Sequence, residues 1–158
     1  MYKSPSHLSP DARLRIAEAL NALLADGLDL HGQIKVAHWN VKGPHFAALH
    51  PLFETFATGL ALHNDAIAER AVTLGALALG TVRHVARVSR VPEYPSDTVR
   101  DLEHARLLAE RFEVYLDGVR AARGVAEAQA DSDSVDLLTR VAGELEKNAW
   151  FLRATVEG

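Results

Sequence analysis

Between Ala12 and Gly43 the chain has no proline, and Ile16, Leu20, Leu23, Leu24, Gly27, Leu30 and Ile34 recur at three- and four-residue intervals. That period lines one stripe of a long amphipathic helix. It does not suit a strand, whose side chains alternate faces residue by residue. Ser9 is placed to cap the helix, and Pro10 takes its first position, where an N–H is not needed. The same spacing returns three times. Leu49, Phe53, Phe56, Leu60 and Ile67 mark a second helix from Phe46 to about Leu74. Leu102, Leu107, Leu108, Phe112, Tyr115 and Val119 mark a third, from Ser96 or Asp97 to about Arg123, with Gly124 as its stop. Leu137, Leu138, Val141, Leu145, Trp150, Phe151 and Leu152 mark a fourth, starting near Asp133. Residues 124–131 fit a helix or a loop, and no stretch alternates as a strand does.

The breaks set the connections. NVKGP at 40–44 ends the first helix, and residues 75–80 form a loop. TVRHVARVSRV at 81–91 holds one short helix, and Pro92 and Pro95 keep VPEYPSD irregular. The expected fold is therefore all-α: a four-helix bundle with a short helix in the long second-to-third crossover. Residues 1–8 read as a short flexible tail and 9–158 as a single domain, long enough for a real core.

Composition narrows the chemistry. There is no cysteine, so any metal must be held by His, Asp and Glu, a donor set that suits iron, manganese or zinc. The net charge of −4 argues against a whole-surface affinity for nucleic acid. No apolar run reaches the ~20 residues of a membrane span, and the N-terminus has no signal-peptide pattern. A cytoplasmic protein with no membrane contact is expected.

The second helix carries His50, Glu54, Asp65 and Glu69, which fall within about 100° of arc on one face. His50/Glu54 and Asp65/Glu69 are each one turn apart. Yet His50 and Asp65 are fifteen residues apart, roughly 22 Å at ~1.5 Å per residue. They cannot serve one metal, or two neighbouring metals, within one chain. If both pairs bind, an antiparallel copy must bring its Asp65 and Glu69 opposite His50 and Glu54. A two-fold dimer does this and makes two equal sites. Spacing alone also allows the bland reading of packing histidines and solvated carboxylates. His63 points about 220° away from His50; it and His7, His31, His45, His84 and His104 read as structural or solvated, and Asp26 and Asp29 as a solvated face.

HWNVKGPHFAALHPLFE at 38–54, followed by DAIAERAVTLG at 65–75, closely resembles the signature of the Dps family, the miniferritins. The resemblance extends to EYP at 93–95 and DLLTRVAGELEKNAWFL at 136–152, covering nearly the whole chain from residue 9. It implies a ferritin-like bundle, assembled as a hollow dodecamer, with a di-iron ferroxidase site between two-fold related subunits. It implies that His38, His50 and Glu54 bind iron together with the partner copy's Asp65 and Glu69. Position 54 is often Asp in the family and is Glu here, which keeps the charge and adds a methylene. The resemblance also implies Fe(II) oxidation, preferentially by hydrogen peroxide rather than dioxygen, and ferric mineral stored in the shell. Trp39 is expected close to the iron, as an electron donor or as packing.

Asp131, Asp133 and Asp136 lie in the region that lines three-fold pores in the family, where repeated acidic residues would draw cations inward. Ser132 or Asp133 also fits a helix cap. Family members that bind DNA often use a long basic tail. The first eight residues here carry one lysine, Lys3, and Arg83, Arg87 and Arg90 form only a modest basic stretch. Weak or absent DNA binding is expected, because phosphate affinity scales with the number of cationic contacts. The alternative is a nucleoid-compacting DNA-binding protein with secondary iron chemistry, and so nucleoid-associated.

Overall fold

The structure, a computed structural model, describes residues 1–157. It holds α1 (Pro10–Asn40), α2 (Phe46–Thr73), α3 (Val82–Val88), α4 (Asp101–Ala128) and α5 (Ser132–Glu157). α1 packs on α2 and α4 on α5, and contacts between α1 and α4 join the two hairpins. The short α3 lies in the long crossover against α1. The all-α bundle expected from the periodicity is what forms.

The core is one continuous cluster drawn from all four long helices, with Leu23, Ile34, Phe53, Ile67, Phe112, Tyr115 and Leu145 buried within it. Ser9 caps α1 through its side chain, which accepts from the Ala12 N–H.

Three local readings change. α4 starts at Asp101, not at Ser96 or Asp97. The backbone just before it is committed to a single bridge with the α1–α2 turn: Lys42 N donates to Val99 O at 2.8 Å and Asp101 N to Lys42 O at 3.0 Å. Gly124 does not stop α4, which runs on to Ala128. The reversal comes instead at Ala130, whose φ is +56°. The cap of α5 is neither Ser132 nor Asp133 but Asp131, which accepts from the Ser134 N–H at 3.3 Å and from the Ser134 hydroxyl.

Asp26 is not on a solvated face. It is fully buried and takes the Arg90 backbone N–H at 2.7 Å, Nε at 2.9 Å and Nη2 at 2.6 Å. Asp29 accepts from the Ser89 hydroxyl at 2.6 Å. Two carboxylates of α1 thus pin the crossover just after α3. Arg111, also buried, ties α4 to it by donating to Glu93 O at 2.7 Å and to Gln33 Oε1 at 2.7 Å. Residues 1–8, read as a flexible tail, include Tyr2 N donating to Gly75 O at 2.7 Å and the Ser4 hydroxyl donating to Thr73 O at 2.6 Å.

Candidate metal centre

The Lys-Gly-Pro turn folds α1 back on α2, and Gly43 is required there. Its φ is +146°, and a Cβ would stand 2.5–2.6 Å from the Asp101 carboxylate oxygens. That carboxylate accepts from the His45 N–H at 2.7 Å and binds His45 Nδ1 at 2.9 Å. Those bonds, the His45 N–H first, hold Asp101 below its ordinary pKa against the opposing effect of desolvation.

The turn brings His38, in the last turn of α1, against His50, in the second turn of α2. Their rings stack with centroids 3.9 Å apart. His38 Nδ1 lies 2.8 Å from His50 O, and His50 Nδ1 lies 2.9 Å from His38 O. A carbonyl can only accept, so each Nδ1 carries a proton and each Nε2 is the ring nitrogen turned away from the backbone. The carbonyls at the end of α1 lack intrahelical donors, which leaves His38 O free for this role. His38 Nε2 is 3.4 Å from Glu54 Oε2. His38, His50 and Glu54 line one open groove of 630 Å3.

Lys35 bonds Glu54 Oε2 directly. This hydrogen bond is the first cause of the lowered Glu54 pKa and keeps the carboxylate ionised. Lys35 was missed from sequence, although its place three residues before His38 puts it on the same face of α1. Trp39 is 67% exposed, so its own chain does not pack it; its ring lies 5.8 Å from Lys35 Nζ.

Asp65 and Glu69 sit about three to five turns further along α2, exposed, and neither carboxylate has a partner among the described residues. They do not meet His38, His50 or Glu54 within the chain. Among the described residues, no group of three or more His, Asp or Glu side chains gathers to hold a metal. Arg70, next to Glu69, donates from Nε to the Ser134 hydroxyl at 2.9 Å and from Nη2 to Asp131 at 2.7 Å. This fixes the end of α2 to the start of α5.

Asp131, grouped from sequence with the pore aspartates, is instead buried and spoken for by Arg70 and Ser134. Burial pushes its pKa up, but those two partners outweigh it and the net shift is downward. Asp133 and Asp136 are exposed. His45, His63 and His104 are structural, paired with Asp101, Glu144 and Tyr94.

A family profile for the ferritin-like domain matches residues 17–158. A DNA protection during starvation protein of Agrobacterium fabrum is 36% identical over 156 residues, covering 99% of this chain and 96% of that protein. The crystal structure of a Dps protein from Vibrio cholerae, described as a member of a superfamily of ferritin-like diiron-carboxylate proteins, superposes with a TM-score of 0.92. It is 28% identical and covers 99% of this chain and 98% of its own. DpsC from Streptomyces coelicolor superposes with a TM-score of 0.91 at 34% identity, covering 98% of this chain and 90% of that one.

Proposed function

The chain belongs to the Dps family of ferritin-like proteins, and from that membership we propose that it is a ferroxidase and iron-storage miniferritin. It oxidises Fe(II) at di-iron sites shared by two-fold related subunits and keeps the ferric product inside a hollow dodecamer. His38, His50 and Glu54 of one chain face Asp65 and Glu69 of the other. The observation that carries this reading is the pair of histidines whose Nδ1 atoms hold each other's carbonyls and leave Nε2 as the outward ring nitrogen, on a chain whose second pair of carboxylates has no partner among the described residues, further along the same helix face.

The donor types suit the reaction. Neutral imidazole holds Fe(II) without adding charge, and carboxylates favour Fe(III) over Fe(II) as it forms. Hydrogen peroxide is the proposed oxidant. Two Fe(II) give one electron each, the O–O bond breaks, and with two protons two waters form, so no hydroxyl radical is released. Asp133 and Asp136 remain the candidates for drawing iron inward. Iron chemistry rather than DNA compaction is the proposed activity, because the chain carries a net charge of −4.

The test is anaerobic loading of the purified protein with Fe(II), then addition of hydrogen peroxide while ferric absorbance is followed. Rapid oxidation giving soluble iron that co-elutes with a large assembly supports the reading. A rate equal to protein-free buffer, with precipitate, refutes it.

A further inference from the structure

After α3 the crossover is anchored twice: Arg90 to Asp26, and then Val99 and Asp101 to Lys42. Between these anchors Tyr94 packs against the core, and its hydroxyl lies 2.6 Å from Nδ1 of His104 on α4. The two rings stack with centroids 5.8 Å apart, 7° from parallel. His104 is wholly buried, and Phe53 of α2 meets its ring edge-on. The Arg111 guanidinium lies 5.1 Å from the centre of the Tyr94 ring.

The proton positions follow from the partners. Burial raises the Tyr94 pKa, so the phenol keeps its proton. His104 Nδ1 is the one partner of that hydroxyl among the described residues. The hydroxyl therefore donates, and Nδ1 accepts as part of a neutral imidazole. The ring's single proton is then on Nε2, which has no partner at hydrogen-bonding geometry. A second proton, on Nδ1, removes the acceptor and leaves two hydrogens facing each other. It also places a charge in a wholly buried site, and sets two cations, imidazolium and guanidinium, against one tyrosine ring.

Little nearby offsets that cost. α2 presents Phe53, and α1 presents Gln33, whose amide oxygen already accepts from Arg111. On α4, Asp101 is committed to His45. Desolvation lowers the His104 pKa, and the opposing pull of Glu103 and of the Thr98 backbone does not overcome it.

We propose that the Tyr94–His104 contact is an acid-sensitive latch: protonation of His104 ejects Tyr94 and frees the crossover between its two anchors. The bonds of Arg90 and Lys42 do not involve His104, so the bundle stays closed while residues 91–98 loosen. His104 resists protonation only in the latched form. The latch therefore holds fully above the ordinary histidine pKa of about 6.5 and weakens as pH falls below it. It operates without metal, and so stands or falls apart from the ferroxidase reading.

Hydroxyl-radical footprinting of the metal-free assembly tests this, because it labels exposed rings and separates the tyrosines by peptide mass. Tyr115, wholly buried, reports opening of the whole bundle. From about pH 7.5 to about pH 5, Tyr94 labelling should rise roughly threefold with Tyr115 unchanged, as a packed ring becomes an open one. In His104→Asn the amide oxygen accepts from Tyr94 but takes no proton in this range, so labelling should stay level. Should His104→Asn fail to fold, Tyr94→Phe replaces it: without the hydroxyl, the ring at position 94 should be labelled to the open level already at neutral pH. Wild-type Tyr94 labelling that ignores pH overturns the latch, as does an equal rise in His104→Asn or a Tyr94→Phe ring that stays protected. A matching rise at Tyr115 also overturns it, because the whole bundle is then opening.

Discussion

His38 and His50 each hold the other's backbone carbonyl through Nδ1 while their rings stack 3.9 Å apart. The two side chains orient one another, so neither Nε2 is placed independently. His50→Ala therefore removes one proposed ligand and loosens the second. We expect loss of Fe(II) oxidation by more than tenfold and a stability loss of about 1 kcal/mol for the missing hydrogen bond. Stopped-flow oxidation and thermal unfolding check the two effects separately.

Asp65 and Glu69 have no partners among the described residues of their own chain. Replacing them by Asn and Gln should leave the unfolding midpoint within the small range of surface substitutions, about 0.5 kcal/mol, while abolishing oxidation. The shared site makes a sharper prediction. In a dimer of one His50→Ala subunit and one Asp65→Asn/Glu69→Gln subunit, both lesions fall in one site and the other is intact. Co-assembled inactive variants should recover activity; if every mixture stays dead, the ligands do not come from two chains.

Lys35 places an ammonium on the Glu54 carboxylate, so a cation binding there must displace it. Lys35→Met removes that competitor, and the Glu54 pKa should return toward its ordinary value. Calorimetric titration with Zn(II) near neutral pH should show tighter binding, by about tenfold, at sites that Glu54→Gln eliminates. Equal affinity in wild type and Lys35→Met would mean the contact has no hold on the metal.

The Arg70–Asp131 pair is buried on the carboxylate side. Asp131→Asn should destabilise the chain by about 3 kcal/mol at neutral pH, as when one partner of a buried pair is removed. The folded pKa of Asp131 is depressed, so its contribution is present above the ordinary carboxylate value of about 4 and fades as pH falls below it. Denaturant midpoints of wild type and variant should converge in acid. A gap that persists there would place the effect in packing instead.

Linear duplex DNA should show no retarded complex at about 0.15 M salt, because an acidic assembly repels phosphate. A complex that resists salt would restore the nucleoid-compacting alternative.

The long helices were legible because their apolar period repeats over many turns, and His50, Glu54, Asp65 and Glu69 because four residues on one helix share a face by arithmetic. Lys35 was equally local but carries a cation, which a search for metal donors passes over. Asp26 looked solvated because its partner, Arg90, lies 64 residues away, within the crossover. The start of α4 was misplaced for the same kind of reason. Val99 and Asp101 bond to Lys42, and no local propensity at 96–101 encodes that. The Gly124 signal was real in type but idle in context, since nothing packs where its side chain would be.

The turn between the two histidines is fastened by Asp101, 56 residues after His45. A chain emerging from the ribosome has both histidines long before it has that carboxylate, and domains fold as synthesis proceeds. The nascent hairpin lacks its clasp until the beginning of α4 appears. Competence to take up iron thus comes late in the growth of each chain, close to the stage at which the bundle can close and meet its copies.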